Sequence, residues 1–302
     1  MRGKALLMYT VCCAIWGSTW LVIKIGLADF PPFLFAGLRM GLACAILTFF
    51  AFRGAGRLRG ADMRAIAVAG LCQIGVSYAF VFAAEETTGS GMTAVLFASF
   101  PIWIALFAHA LLPDEPLRPA VAVAAVLGMA GVAILELPGV ESAIGGGRFP
   151  SGALFPIGAS IASAFANVWM KKRLAGVPAR LNLWGQTLVG SAFLFALSAI
   201  TEGRARVRWS PRAIGSLAYL SILGTVVAFL ALFWLIPRVP MATVGAIPLV
   251  DTLIAAALGA VVLGEPVGWR FFAGGAMILT GAAVATPGFP GARGRIRESA
   301  AS

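Results

Sequence analysis

Residues 242–263 read ATVGAIPLVDTLIAAALGAVVL, an apolar run that contains one proline, Pro248, and one ionisable residue, Asp251. A helix needs roughly 20 residues at 1.5 Å each to cross a hydrocarbon core of about 30 Å, and this run has that length. A carboxylate within such a run is costly unless it faces protein or water. The stretch therefore predicts a membrane-spanning helix with a polar and kinked centre.

The rest of the chain carries further runs of the same kind. Backbone groups in lipid must bond within their own segment, and these runs are too long and too uniformly apolar for barrel strands, so each predicts a helix. An even number of helices places both termini on the same side of the bilayer. The ten predicted spans are about 5–27, 33–52, 65–84, 91–112, 119–135, 152–170, 182–201, 213–236, 242–263 and 271–287.

The composition supports an all-α integral membrane protein and excludes an ordinary soluble domain. Hydrophobic residues make up 60% of the 302 residues and charged residues 12%, whereas soluble domains carry about 25% charged residues. The net charge of +11 raises nucleic acid as a partner, but the positions of the charges argue against it. Most of the Lys and Arg residues fall in loops on the side of the termini, which the positive-inside rule assigns to the cytoplasm. The exception is a loop after the seventh span that holds Arg204, Arg206, Arg208 and Arg212.

The chain contains an internal repeat. A shift of 147 to 150 positions aligns Lys24 with Lys171, Pro31 with Pro178 and Glu115-Pro116 with Glu265-Pro266, along with several Gly, Ala and Phe positions. The repeat predicts two units of five helices, residues 1–137 and 152–287, joined by a loop at 138–151 and followed by a basic cytoplasmic tail at 288–302. Since five is odd, the second unit enters the membrane from the opposite face. Inverted repeats of this kind are typical of alternating-access transporters, whose substrate site lies near the membrane midplane.

Several short motifs identify a family resemblance, namely Ala14-Ile15-Trp16-Gly17-Ser18-Thr19, Lys24-Ile25-Gly26-Leu27, Pro31-Pro32, Leu38-Arg39 and Leu263-Gly264-Glu265-Pro266. The sequence is similar to the drug/metabolite transporter superfamily, and most closely to the ten-helix group with two EamA-type repeats that contains bacterial aromatic and neutral amino-acid exporters. The resemblance implies a basket-like bundle whose cavity is lined mainly by helices 1, 3, 4, 6, 8 and 9.

Asp251 is the strongest candidate for a functional residue. It lies in the middle of the ninth span, three residues after Pro248, whose missing N–H kinks the helix. Pro248 aligns with Pro101 in the middle of the fourth span. Paired discontinuities at the midplane indicate a binding site between the repeats, so we expect Asp251 to contact the substrate or a coupling proton. The alternative is a structural carboxylate bonded to a neighbouring helix.

Five other ionisable residues are candidates for gating or coupling. Lys24 and Arg39 lie toward the outer ends of the first two helices, where long side chains can also extend to the membrane interface. Arg39 lies between Gly37 and Gly41, a close-packing spacing, so it could pair with another helix or bind a carboxylate. It aligns with Gln186 in the second repeat. The remaining candidates are His109, near the end of the fourth helix, and Glu85 and Glu86, at the end of the third. Glu115 and Glu265 are interpreted as caps of the fifth and tenth helices.

Aromatic and small polar residues occur deep in the predicted spans. They could line a cavity that offers flat apolar surface and a few hydrogen-bonding groups, which would suit an amphipathic solute; the alternative is helix packing. The candidates for substrate binding are Trp16, Ser18, Thr19, Tyr78, Trp103, Asn167 and Asp251, with Gln73 nearby in depth.

These patterns favour a secondary transporter that exports amino acids or similar small metabolites across the inner membrane. One alternative is efflux of cationic drugs or nucleosides by the same fold. Another is a lipid-modifying membrane enzyme, which is disfavoured because the sequence has no His/Asp/Glu cluster and no nucleophile motif. We expect no cofactor, no metal and no ATP-binding domain, since a GxxxxGK[ST] loop is missing. The expected partners are a small-molecule substrate and the lipid bilayer, and the oligomeric state cannot be inferred from the sequence.

Overall fold

The computed structural model describes residues 3–52, 59–87, 90–137, 141, 152–203, 206–263 and 267–285. Within these ranges the chain forms helices and their connections, which we group into ten spans, α1 to α10. They are α1 (Gly3–Leu27), α2 (Pro32–Ala51), α3 (Gly60–Gly70, Leu71–Val76 and Ser77–Thr87), α4 (Ser90–Phe97 and Phe100–Leu111), α5 (Pro119–Leu135), α6 (Phe155–Arg173), α7 (Ala179–Thr201), α8 (Pro211–Tyr219, Leu220–Val227, Ala228–Leu235 and Ile236–Arg238), α9 (Met241–Gly245 and Ile247–Leu263) and α10 (Trp269–Ala285).

Most of these helices are long and apolar enough to cross a bilayer. By length and composition, seven helices in the described parts of the chain qualify, namely α1–α4 and α7–α9, while α5 and α10 are shorter apolar helices. The remaining helix, α6, ends in Lys171-Lys172-Arg173 and carries several buried polar residues. The predicted architecture of ten helices is confirmed.

The helices pack as two inverted repeats. Helix α2 packs against its counterpart α7, and α5 packs against its counterpart α10. In addition, the first helix of each repeat packs on the fourth helix of the other repeat: α1 packs on α9, and α6 packs on α4. Irregular segments are repeated as well: α3 and α8 each contain a π-helical turn, Leu71–Val76 and Leu220–Val227.

Glycines allow the closest approaches between the repeats. A Cβ on Gly131 of α5 would lie 2.7 Å from the carbonyl oxygen of Gly274 in α10, and a Cβ on Gly281 would lie 2.7 Å from the carbonyl oxygen of Ala124. Gly131 and Gly281 are repeat equivalents, so the same contact occurs twice. In lipid there is little hydrophobic drive between helices, so close van der Waals packing of small residues holds them together. The Gly37 and Gly41 spacing in α2 likewise receives a side chain of α7, the ring of Phe195.

The two ends of the bundle carry different polar contacts. We call the end at which α1 begins the N-terminal face and the other the distal face. At the distal face, Asp29 follows α1 and accepts hydrogen bonds from Ser210 Oγ (2.5 Å) and Arg212 Nε (2.7 Å) at the start of α8. The carboxylate of Glu202, after α7, accepts the backbone N–H groups of Phe33 and Leu34 at 2.7 and 2.8 Å. These contacts join the two repeats at the distal face.

Candidate functional site: a central cavity with two opposite charges

A cavity of about 100 Å³ lies between the repeats. One buried water needs roughly 10–15 Å³, so the cavity has room for a small solute. Its walls come from α1, α2, α3, α4, α6, α8 and α9, which are the helices that the family resemblance implied, with α2 in addition. The lining residues are Trp16, Thr19, Trp20, Ile23, Arg39, Gln73, Ser77, Tyr78, Val81, Phe97, Phe100, Ser163, Asn167, Phe229, Leu232, Val244, Ile247, Pro248 and Asp251.

Two broken helices form one side of the cavity. Helix α4 is interrupted between Phe97 and Phe100, directly before Pro101, and α9 is interrupted at Ala246, shortly before Pro248. Proline has no N–H for the preceding turn, which accounts for both interruptions. The two breaks touch, since a Cβ on Gly245 would lie 3.3 Å from the Cα of Pro101. The predicted discontinuities therefore face each other beside the cavity.

Asp251 is buried on the cavity wall, with 5% of its surface exposed. Its side chain interacts with those of Trp20 and Thr252, while its Oδ1 atom has no hydrogen-bond partner. Gly17 brings α1 against this part of α9, because a Cβ there would lie 2.8 Å from the Asp251 carbonyl oxygen. A buried carboxylate oxygen without a partner is costly, and a cationic group in the cavity would satisfy it.

Arg39 is buried on another part of the same wall, with 1% of its surface exposed. Its Nε donates to Thr225 Oγ1 (2.9 Å) and its Nη2 to the carbonyl of Gly224 (3.0 Å), both in the π turn of α8. The guanidinium also lies 5.0 Å from the centre of the Tyr78 ring. Arg39 therefore does not extend to the membrane interface but bonds to another helix, α8.

The side chains of Arg39 and Asp251 are not paired with each other. The ion pairs found in the described part of the chain include neither Arg39 nor Asp251. Neutral partners hold the guanidinium, and one oxygen of the carboxylate is unbonded. Charges in a low-dielectric interior need compensation, so this cavity suits a solute that carries a charge of each sign.

A polar network forms a further part of the wall. Gln73 Nε2 donates to Ser163 Oγ (2.9 Å), and Asn167 Nδ2 donates to Gln73 Oε1 (2.8 Å) and to the Ser163 carbonyl (2.8 Å). Asn167 Oδ1 is buried without a partner. These contacts hold α3 against α6 and leave one acceptor for a solute.

The remaining candidates for substrate binding divide into two groups. Trp16, Thr19 and Tyr78 line the cavity together with Asn167 and Asp251. Ser18 and Trp103 are not among the lining residues. Ser18 Oγ donates to the Ile15 carbonyl (2.7 Å) and lies 2.6 Å from the Tyr219 hydroxyl. Trp103 donates to Ser99 Oγ at 3.2 Å.

Three other predicted gating residues, Lys24, Glu85 and His109, are not among the residues that line the cavity. Lys24 is exposed and Glu85 is partly buried near the end of α3. His109 is exposed, and its Nδ1 accepts the backbone N–H of Leu117 at 3.2 Å. Glu86 belongs to the helix Ser77–Thr87, but its side chain lies outside the described residues.

Several lining residues were not predicted from the sequence. Ser163 lies one helical turn before Asn167, and Trp20 lies one turn after Trp16, so the spacing of four residues would have indicated both. The aromatic rings of Phe97, Phe100 and Phe229 carry no such signal, because phenylalanine is frequent throughout the spans.

Comparisons with known proteins agree with this architecture. The model of the EamA-like transporter family matches residues 3–137 and 150–286, which are the two repeats. The chain is 28% identical to the "Uncharacterized inner membrane transporter YedA" of Escherichia coli over 255 residues, which cover 83% of this chain and 80% of YedA. It is 26% identical to the "Uncharacterized transporter YvbV" of Bacillus subtilis over 280 residues, covering 92% of this chain and 90% of YvbV.

Two further similarities extend over nearly the whole chain. A "Probable amino-acid metabolite efflux pump" of Salmonella typhimurium is 26% identical over 296 residues, which cover 95% of this chain and 94% of the pump. A solved crystal structure with 23% sequence identity superposes with a TM-score of 0.78, covering 95% of this chain and 98% of the other. The protein spans the membrane several times, and the matches to both repeats show that the chain belongs to the EamA-like transporter family.

Proposed function

We propose that this protein exports neutral or aromatic amino acids across the bacterial inner membrane by alternating access. The observation that carries the proposal is the pair of buried, mutually unpaired charges, Arg39 and Asp251, on the wall of one aromatic-lined cavity. An amino acid carries a carboxylate and an ammonium group on one carbon atom. Such a solute compensates both charges at once.

Each chemical group of the amino acid has complementary residues on the cavity wall. The planar guanidinium of Arg39 is suited to bind a carboxylate through two hydrogen bonds. The free Oδ1 atom of Asp251 accepts from the ammonium group. Rings such as those of Trp16, Tyr78 and Phe229 offer apolar surface for the solute's side chain.

The competing substrates fit this cavity less well. A cationic drug would bring a positive charge close to the buried guanidinium of Arg39, which is unfavourable at low dielectric. A nucleoside is uncharged at neutral pH and leaves both buried charges uncompensated. The similarity to the "Probable amino-acid metabolite efflux pump" of Salmonella typhimurium supports an amino-acid metabolite as the transported solute.

The orientation follows from the loop charges. Lysine and arginine residues concentrate in loops at the N-terminal face, so the positive-inside rule assigns that face to the cytoplasm. Transport then consists of exposing the cavity alternately at the N-terminal and distal faces as the packed helices rock against one another.

The experiment uses purified protein in liposomes and counterflow of a labelled neutral amino acid. Competitors are the unlabelled amino acid, the amine that lacks its carboxylate and the acid that lacks its ammonium group. Loss of one buried charge partner costs about 2–5 kcal/mol, so each truncated analogue should compete at least ~30-fold more weakly. Asp251→Asn should reduce specific flux by a similar factor and remove the preference for the amino acid over the acid.

Ser18→Ala is the matched control. Ser18 is next to the cavity residue Thr19 in α1, but it bonds to Ile15 and Tyr219 and does not line the cavity. It should retain parental flux. Equal competition by the amine or by the acid, or full flux in a folded Asp251→Asn protein, would exclude the proposed recognition.

A further inference from the structure

An ion pair at the N-terminal face binds the backbone at the start of α9. Glu115, in the connection between α4 and α5, places Oε1 2.6 Å from Lys171 Nζ at the end of α6. Its other oxygen, Oε2, accepts the backbone N–H of Met241 at 2.6 Å. Lys171 Nζ also donates to the carbonyl of Val239. Both members of the pair thus hold the corner between α8 and α9, and Glu115 caps α9 rather than the start of α5.

This corner leads directly to the cavity. It is followed by Met241–Gly245, the short first segment of α9, which ends at the break at Ala246. Val244 in that segment and Ile247 just after the break both line the cavity. A contact at the N-terminal face therefore fixes the wall between that face and the site.

The ion pair also connects helices that pack in different groups. Helices α4 and α6 pack on each other, and the first segment of α9, Met241–Gly245, packs on α4, whereas the longer segment Ile247–Leu263 packs on α1. Glu115 and Lys171 lie at the ends of the first group, and the segment that they hold leads across the break at Ala246 into the part of α9 that packs on α1. If the groups rock against each other, the hydrogen bonds to Met241 and Val239 oppose any movement of this segment away from α4 and α6.

The strength of the contact suits a reversible closure. The side chains of Lys171 and Glu115 are 19% and 18% exposed, so they are shielded from water without being fully desolvated. Such pairs stabilise one arrangement without the large penalty of a buried charge. The repeat counterpart of Lys171 is Lys24, which is exposed near the distal face, so the two ends of the molecule differ in this conformation.

We propose that the Glu115–Lys171 pair is a latch that closes the cavity toward the N-terminal face by holding the segment Met241–Gly245. Release of the latch frees this segment and admits the solute from that side. The inference rests on the proposed transport cycle, but it does not depend on which solute is carried.

The test measures access to the cavity without any solute. Val244→Cys places a thiol on the wall, and a membrane-impermeant methanethiosulfonate reagent is applied at the N-terminal face in oriented vesicles. Glu115→Gln and Lys171→Gln should each raise the reaction rate of this thiol by about tenfold, equivalent to ~1.4 kcal/mol of lost closure. The protein without Val244→Cys, treated in parallel, corrects for the native cysteines.

Two control variants make the same charge changes one residue away. Asp114→Asn and Lys172→Gln alter exposed side chains and should leave the rate unchanged. Unchanged rates in folded Glu115→Gln and Lys171→Gln proteins would overturn the latch. If one of them does not insert, the other tests the same contact from its opposite side.

A charge exchange distinguishes a latch from a simple ion pair. In Glu115→Lys/Lys171→Glu the two side chains still attract each other, but an ammonium group faces the Met241 N–H and a carboxylate faces the Val239 carbonyl. The double variant should therefore remain as reactive as the single variants. A return to the parental rate would contradict the proposal. Because no solute is present, a failure of amino-acid transport would not affect either outcome.

Discussion

The two repeats share a scaffold but differ in their buried charges. Both contain a π turn in the third helix and a break before a proline in the fourth. Arg39, however, corresponds to Gln186, a fully buried residue whose Nε2 donates to Asn182 Oδ1 at 2.7 Å. With the shift of 147 positions that aligns Pro101 with Pro248, Asp251 corresponds to Ile104. Ile104 is fully buried in the hydrophobic core.

This difference separates two requirements of a transporter. Equivalent backbone features in inverted repeats give two conformations of similar energy that open to opposite faces. An amino acid carries different chemical groups at its two ends, so its recognition needs different side chains on the two sides of the cavity. In the proposed transport cycle, the repeats are therefore alike in the backbone features that allow movement and unlike in the residues proposed to bind the solute.

The largest expected effect comes from making the repeats alike at the site. Arg39→Gln gives the first repeat the residue of the second and leaves the solute's carboxylate without a charged partner. Flux should fall at least ~30-fold, from the loss of about 2 kcal/mol or more. Counterflow in liposomes measures it.

Gln186→Met is the control, because it changes the residue of the second repeat that corresponds to Arg39. Gln186 does not line the cavity, so the variant should retain most of its flux even if it is less stable. Equal losses in the two variants would mean that Arg39 acts through packing rather than through the solute.

A smaller effect tests the symmetry of the scaffold. Gly131→Ala and Gly281→Ala each press a methyl group against a backbone carbonyl 2.7 Å away. Overpacking of this kind costs typically 1–3 kcal/mol, and repeat equivalence requires similar losses at the two sites. Unfolding of the detergent-solubilised protein measures them.

Gly215→Ala is the control for these two variants, because no atom lies within 4 Å of a Cβ at that position. Removing a helical glycine there should leave stability unchanged or raise it by about 0.4–1 kcal/mol. Clearly unequal losses at Gly131 and Gly281 would show that the two contacts are not equivalent.

The smallest effect concerns a loop charge that is not repeated. Hydrogen bonds from Arg212 and Ser210 lower the pKa of Asp29 to about 2, from an ordinary value of ~3.9. The folded protein therefore binds this proton more weakly than the unfolded chain. The stabilisation is complete above about pH 4 and is lost as the pH falls through about 2.

Asp29→Asn should remove this part of the acid sensitivity. The melting temperature of the variant should lie below that of the parent at pH 5, and the difference should shrink as the pH approaches 2. The counterpart of Asp29 is Gly176, so we expect no matching effect from the loop between α6 and α7. A constant difference across this pH range would contradict the assignment.

The sequence predicted the helices, the repeat and the midplane prolines because these depend on length and on position along the chain. Asp251 and Arg39 were also identifiable, since an ionisable residue within an apolar run is conspicuous. The sequence did not show which side of each helix faces the cavity. Thr19 lines the cavity and the adjacent Ser18 does not, and nearly uniform apolarity gives no angular reference that distinguishes them.

Two other features were not readable from the sequence. The π turns rotate the helix that follows them, so the positions of Ser77 and Tyr78 on the cavity wall depend on where the extra residue is inserted. The position of Glu115 before a proline resembles that of a local helix cap, but its partners are distant in the chain. Only the packing of α4, α6 and α9 brings them together.

Two donors from the first repeat meet at one main-chain atom of the second. The carbonyl oxygen of Gly224 accepts from Trp16 Nε1 at 3.1 Å and from Arg39 Nη2 at 3.0 Å. Because this oxygen belongs to the backbone, no replacement of a side chain deletes it, whereas an insertion or deletion within α8 would displace it. Substitutions elsewhere on the cavity walls therefore leave this acceptor in place, so related sequences can change the side chains that surround Arg39 and keep its main-chain contact.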